Sequence, residues 1–114
     1  MAVKESSTAG PDLSVKLCGV ALANPTILAS GILGTNIAIL RRVAGAGAGA
    51  VTIKSISVEE RGGHKNPTIL AFEAGLINAV GYSNPGVSEA VREYATLDGV
   101  GVPVIASVVG QNAD

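Results

Sequence analysis

Polar side chains stand at the ends of three apolar runs in this chain of 114 residues. Ser30 follows TILA, Lys54 and Ser55 follow AVTI, and Ser107 lies within PVIASVV. If these runs are parallel strands, their carboxyl ends share the edge of the sheet where α/β proteins bind ligands. A buried ammonium group costs several kcal/mol unless an anion lies beside it, so Lys54 indicates an anionic ligand. The alternative is a lysine whose stem follows the strand end while its ammonium group reaches solvent.

The stretch GLINAVGYSNPG, residues 75–86, is the second candidate for ligand binding. Asn78 offers a carbonyl acceptor and amide donors, which are the groups that recognise a planar amide or a carboxylate. Gly81 allows the backbone to approach a ligand closely, because it has no side chain. The alternative is a loop whose asparagine satisfies local backbone groups. The residues alone leave both interpretations open.

Three further features are weaker candidates for chemistry. The run GAGAGA, residues 45–50, follows a predicted helix and precedes a predicted strand, the reverse of the order in a phosphate-binding fingerprint. His64 is the only histidine and lies in a predicted loop, so neither metal binding nor acid–base work is expected of it. Cys18 precedes the first long apolar run and is more typical of a structural residue than of a nucleophile. No metal site is predicted.

The elements that would position these residues alternate between strand and helix. The predicted segments are a leader over 1–12, a hairpin over 13–22, strands over 26–29, 50–53 and 103–109, and helices over 36–44 and 85–97. Asn36 is a candidate cap for the first helix, and Asn84 for the second, with Pro85 in the favoured first position. A βαβαβ order with right-handed crossovers gives a parallel sheet, so the sequence predicts an α/β protein.

The composition supports a globular protein. Apolar residues make up 47% of the chain and charged residues 15%, whereas disorder requires low hydrophobicity and high net charge. The net charge of −1 gives no electrostatic reason to expect nucleic acid or a membrane as a partner. A single cysteine, no visible secretory signal and no apolar run near the roughly 20 residues of a spanning helix predict a cytoplasmic protein.

The predicted sheet is small. Three strands would leave two bare edges, and a complete (β/α)₈ barrel takes about 250 residues. The sequence therefore favours a part of a larger fold, or one chain of a larger assembly.

Five segments, in this order, resemble the dihydroorotate dehydrogenase family: LCGVALANPTILASG, GAGAVTIKSIS, RGGHKNP, GLINAVGYSNPG and PVIASVVG. The most specific match is Lys54-Ser55 followed by L-x-N-A-x-G-x-x-N-P-G. The resemblance implies the N-terminal part of a (β/α)₈ TIM barrel with an N-terminal β-hairpin, residues 13–114 forming its first βα units. It further implies an FMN-dependent oxidoreductase that converts dihydroorotate to orotate in de novo pyrimidine (UMP) biosynthesis.

The resemblance also implies a set of site residues. The cofactor would contact Ala29, Ser30, Gly31, Lys54, Ser55 and Ser107, and the substrate would contact Lys54, Asn78, Ala79, Val80, Gly81 and Tyr82. Lys54 would act electrostatically, because its charge opposes the negative charge that develops on the flavin. Many relatives carry an asparagine where this chain has Ser107.

The general base of the family, a cysteine in the soluble classes and a serine in the membrane-associated class, would lie beyond position 114. The segments NPTILASG and GAGAVTIKSIS are closer to the NAD-linked type, whose catalytic subunit pairs with an iron–sulfur and FAD subunit. The expected partners are dihydroorotate or orotate, that subunit or a complementary chain, and further copies in a homo-oligomer. Two alternatives stay open: a truncated fragment that is inactive by itself, and a related flavin barrel acting on dihydropyrimidines.

Overall fold

The computed structural model describes residues 10–110 and 112 of the chain. The strands are β1 (Val15–Leu17), β2 (Val20–Leu22), β3 (Ile27–Leu28), β4 (Ala50–Thr52), β5 (Ile69–Phe72), β6 (Gly75–Asn78) and β7 (Val104–Ile105). The α-helices are α1 (Ile37–Gly45) and α2 (Gly86–Glu93), and 3₁₀ helices cover Ile32–Gly34 and Tyr94–Gly99. Most of the predicted leader, residues 1–9, lies outside the described part.

The strands β3, β4 and β7 form a parallel sheet with β4 in the centre. Val51 of β4 pairs with Leu28 of β3 on one side and with Val104 of β7 on the other. A parallel bridge between Ile56 and Val108 continues the pairing past the end of β4. The predicted strand–helix–strand order and the α/β class are confirmed. Over the described residues the sheet is open, and no closed barrel is formed.

The core lies between α1 and the central strand. Leu40 of α1 and Val51 of β4 are completely buried, and Ile53 and Val100 join them in one apolar cluster. Burying a leucine or valine side chain contributes about 1.5–3 kcal/mol to folding. This packing fixes α1 against β4 and thereby sets the position of the residues that follow β4.

The first helix begins as the sequence predicts. Asn36 is the N-cap, and its side-chain oxygen accepts a hydrogen bond of 3.0 Å from the backbone N–H of Ile39. That bond satisfies one of the donors left unpaired at a helix start.

The start of the second helix differs from the prediction. Pro85 is the N-cap rather than the first helical residue, and α2 begins at Gly86. Asn84 precedes the cap, although its Oδ1 still accepts a 3.0 Å bond from the N–H of Gly86. Gly86 has φ +78°, and a Cβ built there would lie 2.9 Å from the backbone nitrogen of Glu60. The chain must bend at this glycine to pass the 58–60 segment, which delays the helix start.

The end of the second helix also differs, because α2 was expected to reach Leu97 and stops at Glu93. The following residues tighten into the 3₁₀ helix Tyr94–Gly99, and Thr96 inside it has non-helical angles (φ −114°, ψ 36°).

Two antiparallel hairpins complete the described chain. In the first, β1 and β2 pair as predicted, and Cys18 and Gly19 form its turn with φ +47° and +85°. Positive φ at both turn residues is the geometry of a type I′ hairpin, so Cys18 has a structural position there. In the second, β5 pairs with β6, and all residues of both strands are exposed.

No helix among the described residues is long and apolar enough to cross a membrane.

Replacing Gly34 by alanine tests how tightly the 3₁₀ helix Ile32–Gly34 packs on the end of β4. A Cβ at Gly34 would lie 2.6 Å from the carbonyl oxygen of Thr52 and 2.7 Å from the nitrogen of Lys54. Gly34→Ala should lower the free energy of unfolding of the full-length protein by about 1–3 kcal/mol, because both obstacles are backbone atoms that cannot rotate away.

Gly45→Ala is the matched control for that measurement. No atom lies within 4 Å of a Cβ built at Gly45, which ends α1. Its unfolding midpoint in urea should stay the same or rise slightly, since alanine is the better helix former. Equal midpoints for the two variants would show that Gly34 is not tightly packed.

Candidate active site

Three serine hydroxyl groups form a hydrogen-bonded chain along the carboxyl edge of the parallel sheet. Ser30, Ser55 and Ser107 each follow a different strand, β3, β4 and β7. The Oγ atoms of Ser30 and Ser55 are 3.0 Å apart, and those of Ser55 and Ser107 are 2.8 Å apart. The structure thus brings together the three serines that the sequence marked separately. Two bonds use two of the three hydroxyl protons, so one donor remains for a ligand.

Lys54 lies beside this hydroxyl chain and is half-buried. Its Nζ is 5.9 Å from the centroid of the Tyr82 ring, within the range of a cation–π interaction. The only ion pair among the described residues joins Arg92 to Glu89, so within that part of the chain Lys54 forms no ion pair. The side chain borders an open cavity of about 450 Å³, which Glu60 and Glu93 also line. A half-buried cation outside any ion pair is suited to bind an anion or to stabilise a developing negative charge.

The backbone of Lys54 is held by the segment that precedes α1. Its N–H donates a hydrogen bond of 2.8 Å to the carbonyl oxygen of Gly34. The hydroxyl of Tyr94 donates a second bond, of 2.7 Å, to the same oxygen. Partial burial and the nearby charge of Glu93 raise the pKa of Tyr94, so the phenol stays protonated and remains a donor. Sequence reasoning missed Tyr94, because nothing in the local pattern of α2 relates it to Lys54.

The second predicted segment runs from the exposed hairpin to the lysine. Asn78 ends β6 and is exposed, and its side chain makes no hydrogen bond within residues 10–110. The backbone N–H of Ala79 donates to the carbonyl of Thr68 at 2.8 Å, and the carbonyl of Val80 accepts from the N–H of His64 at 3.1 Å. The interpretation of Asn78 as a residue that satisfies local backbone groups therefore has no support here.

Gly81 and Tyr82 complete this segment. Gly81 is crowded by a neighbouring side chain, and Tyr82 has a strained backbone. A Cβ at Gly81 would lie 2.7 Å from Cδ2 of His64, so only glycine fits against that ring. Tyr82 has φ +54°, a left-handed conformation that costs a non-glycine residue about 1–2 kcal/mol. His64, for which no metal or acid–base role was expected, thus packs against the predicted substrate loop.

Asn84 holds the left-handed turn in place. It is the one buried polar residue of the described chain, with 5% of its surface exposed. Its Nδ2 donates to the carbonyl of Tyr82 at 2.8 Å, while its Oδ1 accepts from the N–H groups of Ser57 at 3.1 Å and Gly86 at 3.0 Å. One side chain therefore ties together the residues after β4, the loop beside Lys54 and the start of α2. The sequence marked Asn84 only as a helix cap.

The remaining predicted cofactor contacts lie where β3 ends. Ala29 and Ser30 are exposed, and no atom lies within 4 Å of a Cβ built at Gly31. The backbone there is open to a ligand. The strand edge therefore combines a spare hydroxyl donor, a cation outside any ion pair of the described residues, and free space.

Comparison with known proteins identifies the family of this chain. The family model described as dihydroorotate dehydrogenase matches residues 12–114. The chain belongs to the dihydroorotate dehydrogenase family. It is 51% identical over 92 residues to the dihydroorotate dehydrogenase B (NAD(+)), catalytic subunit, of Methanocella arvoryzae, covering 81% of this chain and 31% of that protein. The protein of the same name from Methanothermobacter thermautotrophicus is 46% identical over 102 residues, covering 90% of this chain and 33% of that protein.

The chain spans about a third of the length of these dihydroorotate dehydrogenase relatives. Its fold also matches a solved structure, the DHODH of Eimeria tenella in complex with ferulenol, with a TM-score of 0.72. The sequence identity to that protein is 20%, and the match covers 91% of this chain and 30% of the other. At this identity the match shows a shared fold for this part of the chain.

Asn84→Ala tests whether the buried amide organises this candidate site. The variant leaves the N–H of Ser57 and the carbonyl of Tyr82 without their side-chain partner. The free energy of unfolding should fall by about 1–3 kcal/mol, the usual cost of unpaired buried polar groups. Amide hydrogen exchange over 79–86 should accelerate.

Asn112→Ala is the control, because Asn112 is exposed. It should change neither quantity. An Asn84→Ala variant as stable as the Asn112→Ala variant would show that the buried amide does not hold the loop.

Proposed function

We propose that this chain forms the first βα units, residues 13–114, of an FMN-dependent (β/α)₈ dihydroorotate dehydrogenase that oxidises dihydroorotate to orotate in pyrimidine synthesis. The observation that carries the proposal is Lys54, a half-buried cation that forms no ion pair in the described chain, beside three linked hydroxyl groups. Membership of the family and the parallel arrangement of β3, β4 and β7 support it.

The residues at the strand edge suit a flavin. An isoalloxazine ring needs an open, flat surface and hydrogen-bonding groups at its polar edge. The space at Gly31 and the backbone of Ala29 and Ser30 offer the surface, and the hydroxyl chain from Ser30 to Ser107 offers the donor. A serine at position 107 is compatible with this role because its hydroxyl joins the same chain.

When bound, FMN would supply the hydride acceptor for the oxidation. Lys54 would hold a fixed positive charge at the place where negative charge develops, and a charge already in position needs no reorganisation during the reaction. The ring of Tyr82, with its centroid 5.9 Å from Nζ, adds a cation–π attraction that would help to hold the ammonium group in place.

The segment Asn78 to Tyr82 would hold the substrate. The amide of Asn78 is free to donate and accept, as recognition of the ring and carboxylate of orotate requires. The backbone of Ala79 to Tyr82 connects Asn78 to the ring that contacts Lys54. At Gly81 there is little room for a side chain, because a Cβ would meet His64.

The relatives' name suggests the wider assembly. They are catalytic subunits of an NAD(+)-linked enzyme, so we infer that the complete protein pairs with an iron–sulfur and FAD subunit that passes electrons to NAD. Self-association as a homo-oligomer and a cytoplasmic location belong to the same proposal.

Lys54→Ala is the first test and should be made in the complete enzyme that contains this chain. Turnover should fall by about a hundredfold, because one preorganised electrostatic contact is lost, while flavin content and unfolding midpoint change little. Lys16→Ala removes an exposed lysine of β1 and is the control. The rate of dihydroorotate oxidation and the visible flavin absorbance report both effects. Full turnover without Lys54 would exclude it from the mechanism.

Asn78 is tested by two substitutions that differ in charge. Asn78→Ala should weaken orotate binding by about 1–3 kcal/mol, because polar groups of the ligand lose their partner. Asn78→Asp should weaken it further, since a carboxylate would face the anionic orotate. The affinity is measured by titrating the flavin absorbance with orotate. Equal affinity of the parent and both variants would mean that orotate does not contact this side chain.

A further inference from the structure

The carbonyl oxygen of Gly34 connects Lys54 to a distant part of the chain. It accepts from the N–H of Lys54 at 2.8 Å and from the hydroxyl of Tyr94 at 2.7 Å. A carbonyl oxygen has two lone pairs, so both donors can be accommodated at full strength. Tyr94 lies 60 positions from Gly34 in sequence, so this is a tertiary contact and not part of a local turn.

Gly34 has no freedom to compensate if one of these bonds is lost. It is buried, and its Cα faces the end of β4 so closely that a Cβ would lie within 3 Å of three backbone atoms, the carbonyl oxygen of Thr52, the carbonyl carbon of Ile53 and the nitrogen of Lys54. A shift of the Gly34 carbonyl would therefore also move Lys54, which directly follows the buried residues of the central strand.

Tyr94 is itself well anchored. Its ring packs against the core cluster that contains Leu40 and Val100. The neighbouring Glu93 accepts a 3.0 Å bond from the N–H of Ile37, the first residue of α1. A guanidinium nitrogen of Arg41, also in α1, donates to the carbonyl of Thr96 at 3.2 Å. The junction of α2 and the 3₁₀ helix is thus fastened to α1 on both sides of Tyr94.

We propose that Tyr94 is a positioning residue for Lys54. Its hydroxyl, fixed by the packing of the ring, holds the Gly34 carbonyl in the orientation that binds the N–H of Lys54, and so sets where the lysine side chain leaves the strand edge. Tyr94 touches neither cofactor nor substrate in this scheme and acts through the backbone. The inference rests on the proposed electrostatic role of Lys54.

The test compares Tyr94→Phe with Lys54→Ala, alone and combined, in the complete flavin-loaded enzyme. Phenylalanine keeps the ring packing and removes only the hydroxyl. The exchange rate of the Lys54 amide should rise by roughly two- to tenfold in Tyr94→Phe, because its acceptor loses a second restraint. The flavin midpoint potential should fall in Lys54→Ala, fall by a smaller amount in Tyr94→Phe, and show no additional fall in the double variant.

Thr35→Val is the matched control. It removes a hydroxyl that donates a 3.0 Å bond to the carbonyl of Ile32, in the same turn, and that makes no hydrogen bond to Lys54 or to the Gly34 carbonyl among the described residues. It should leave the Lys54 exchange rate and the flavin potential unchanged.

The outcomes separate the inference from the function on which it rests. A lowered potential in Lys54→Ala together with an unchanged potential in Tyr94→Phe overturns the role of Tyr94 and leaves the proposed function standing. An unchanged potential in Lys54→Ala overturns both. Additive losses in the double variant also overturn the inference, because Tyr94 would then act independently of Lys54.

Discussion

The site depends on the central position of β4 in the parallel sheet. β4 pairs with a strand on each side, and its residues Ala50 and Val51 are completely buried. Parallel pairing sends all three strands in one direction, so their carboxyl ends meet at one edge. The distances of 2.8 and 3.0 Å between the serine hydroxyls follow from this register. A shift of β4 by one residue would turn its side chains to the opposite face and separate the hydroxyl groups.

Electrostatics then decide what this edge can bind. Lys54 lies at the end of the buried strand, contacts the ring of Tyr82 and forms no ion pair within the described chain. Such a cation is costly for folding unless a ligand or a developing charge compensates for it. Under the proposed function, the bound ligand would supply that compensation, which is a common property of binding sites.

The loop beside Lys54 combines a strained residue with the hydrogen bonds that hold it in place. Tyr82 adopts a left-handed conformation that a side chain disfavours, and Asn84 supplies the buried hydrogen bonds that keep it there. Strain of this kind persists only where the surroundings over-determine the backbone, and it is concentrated at ligand-binding loops. The exposed apolar residues of the β5–β6 hairpin, with Phe72 at 57% and Leu76 at 74% exposure, lie away from the sheet core formed by the described chain.

The sequence by itself determined the local elements and the family. The turn at Cys18-Gly19, the cap at Asn36 and the apolar strand around Val51 depend on neighbours in the chain, so periodicity and residue type were sufficient to predict them. The motif from Asn78 to Gly86 was recognised through its resemblance to the family. Tertiary structure alone decided the linkage of the three serine hydroxyls, the contact of Lys54 with Tyr82, the role of Asn84 and the bond from Tyr94 to Gly34. Each of these joins groups on different elements, and their distances are set by how α1, α2 and the sheet pack together. Contacts between elements that are far apart in the chain leave no periodic pattern in a single sequence, so they could not be predicted from it.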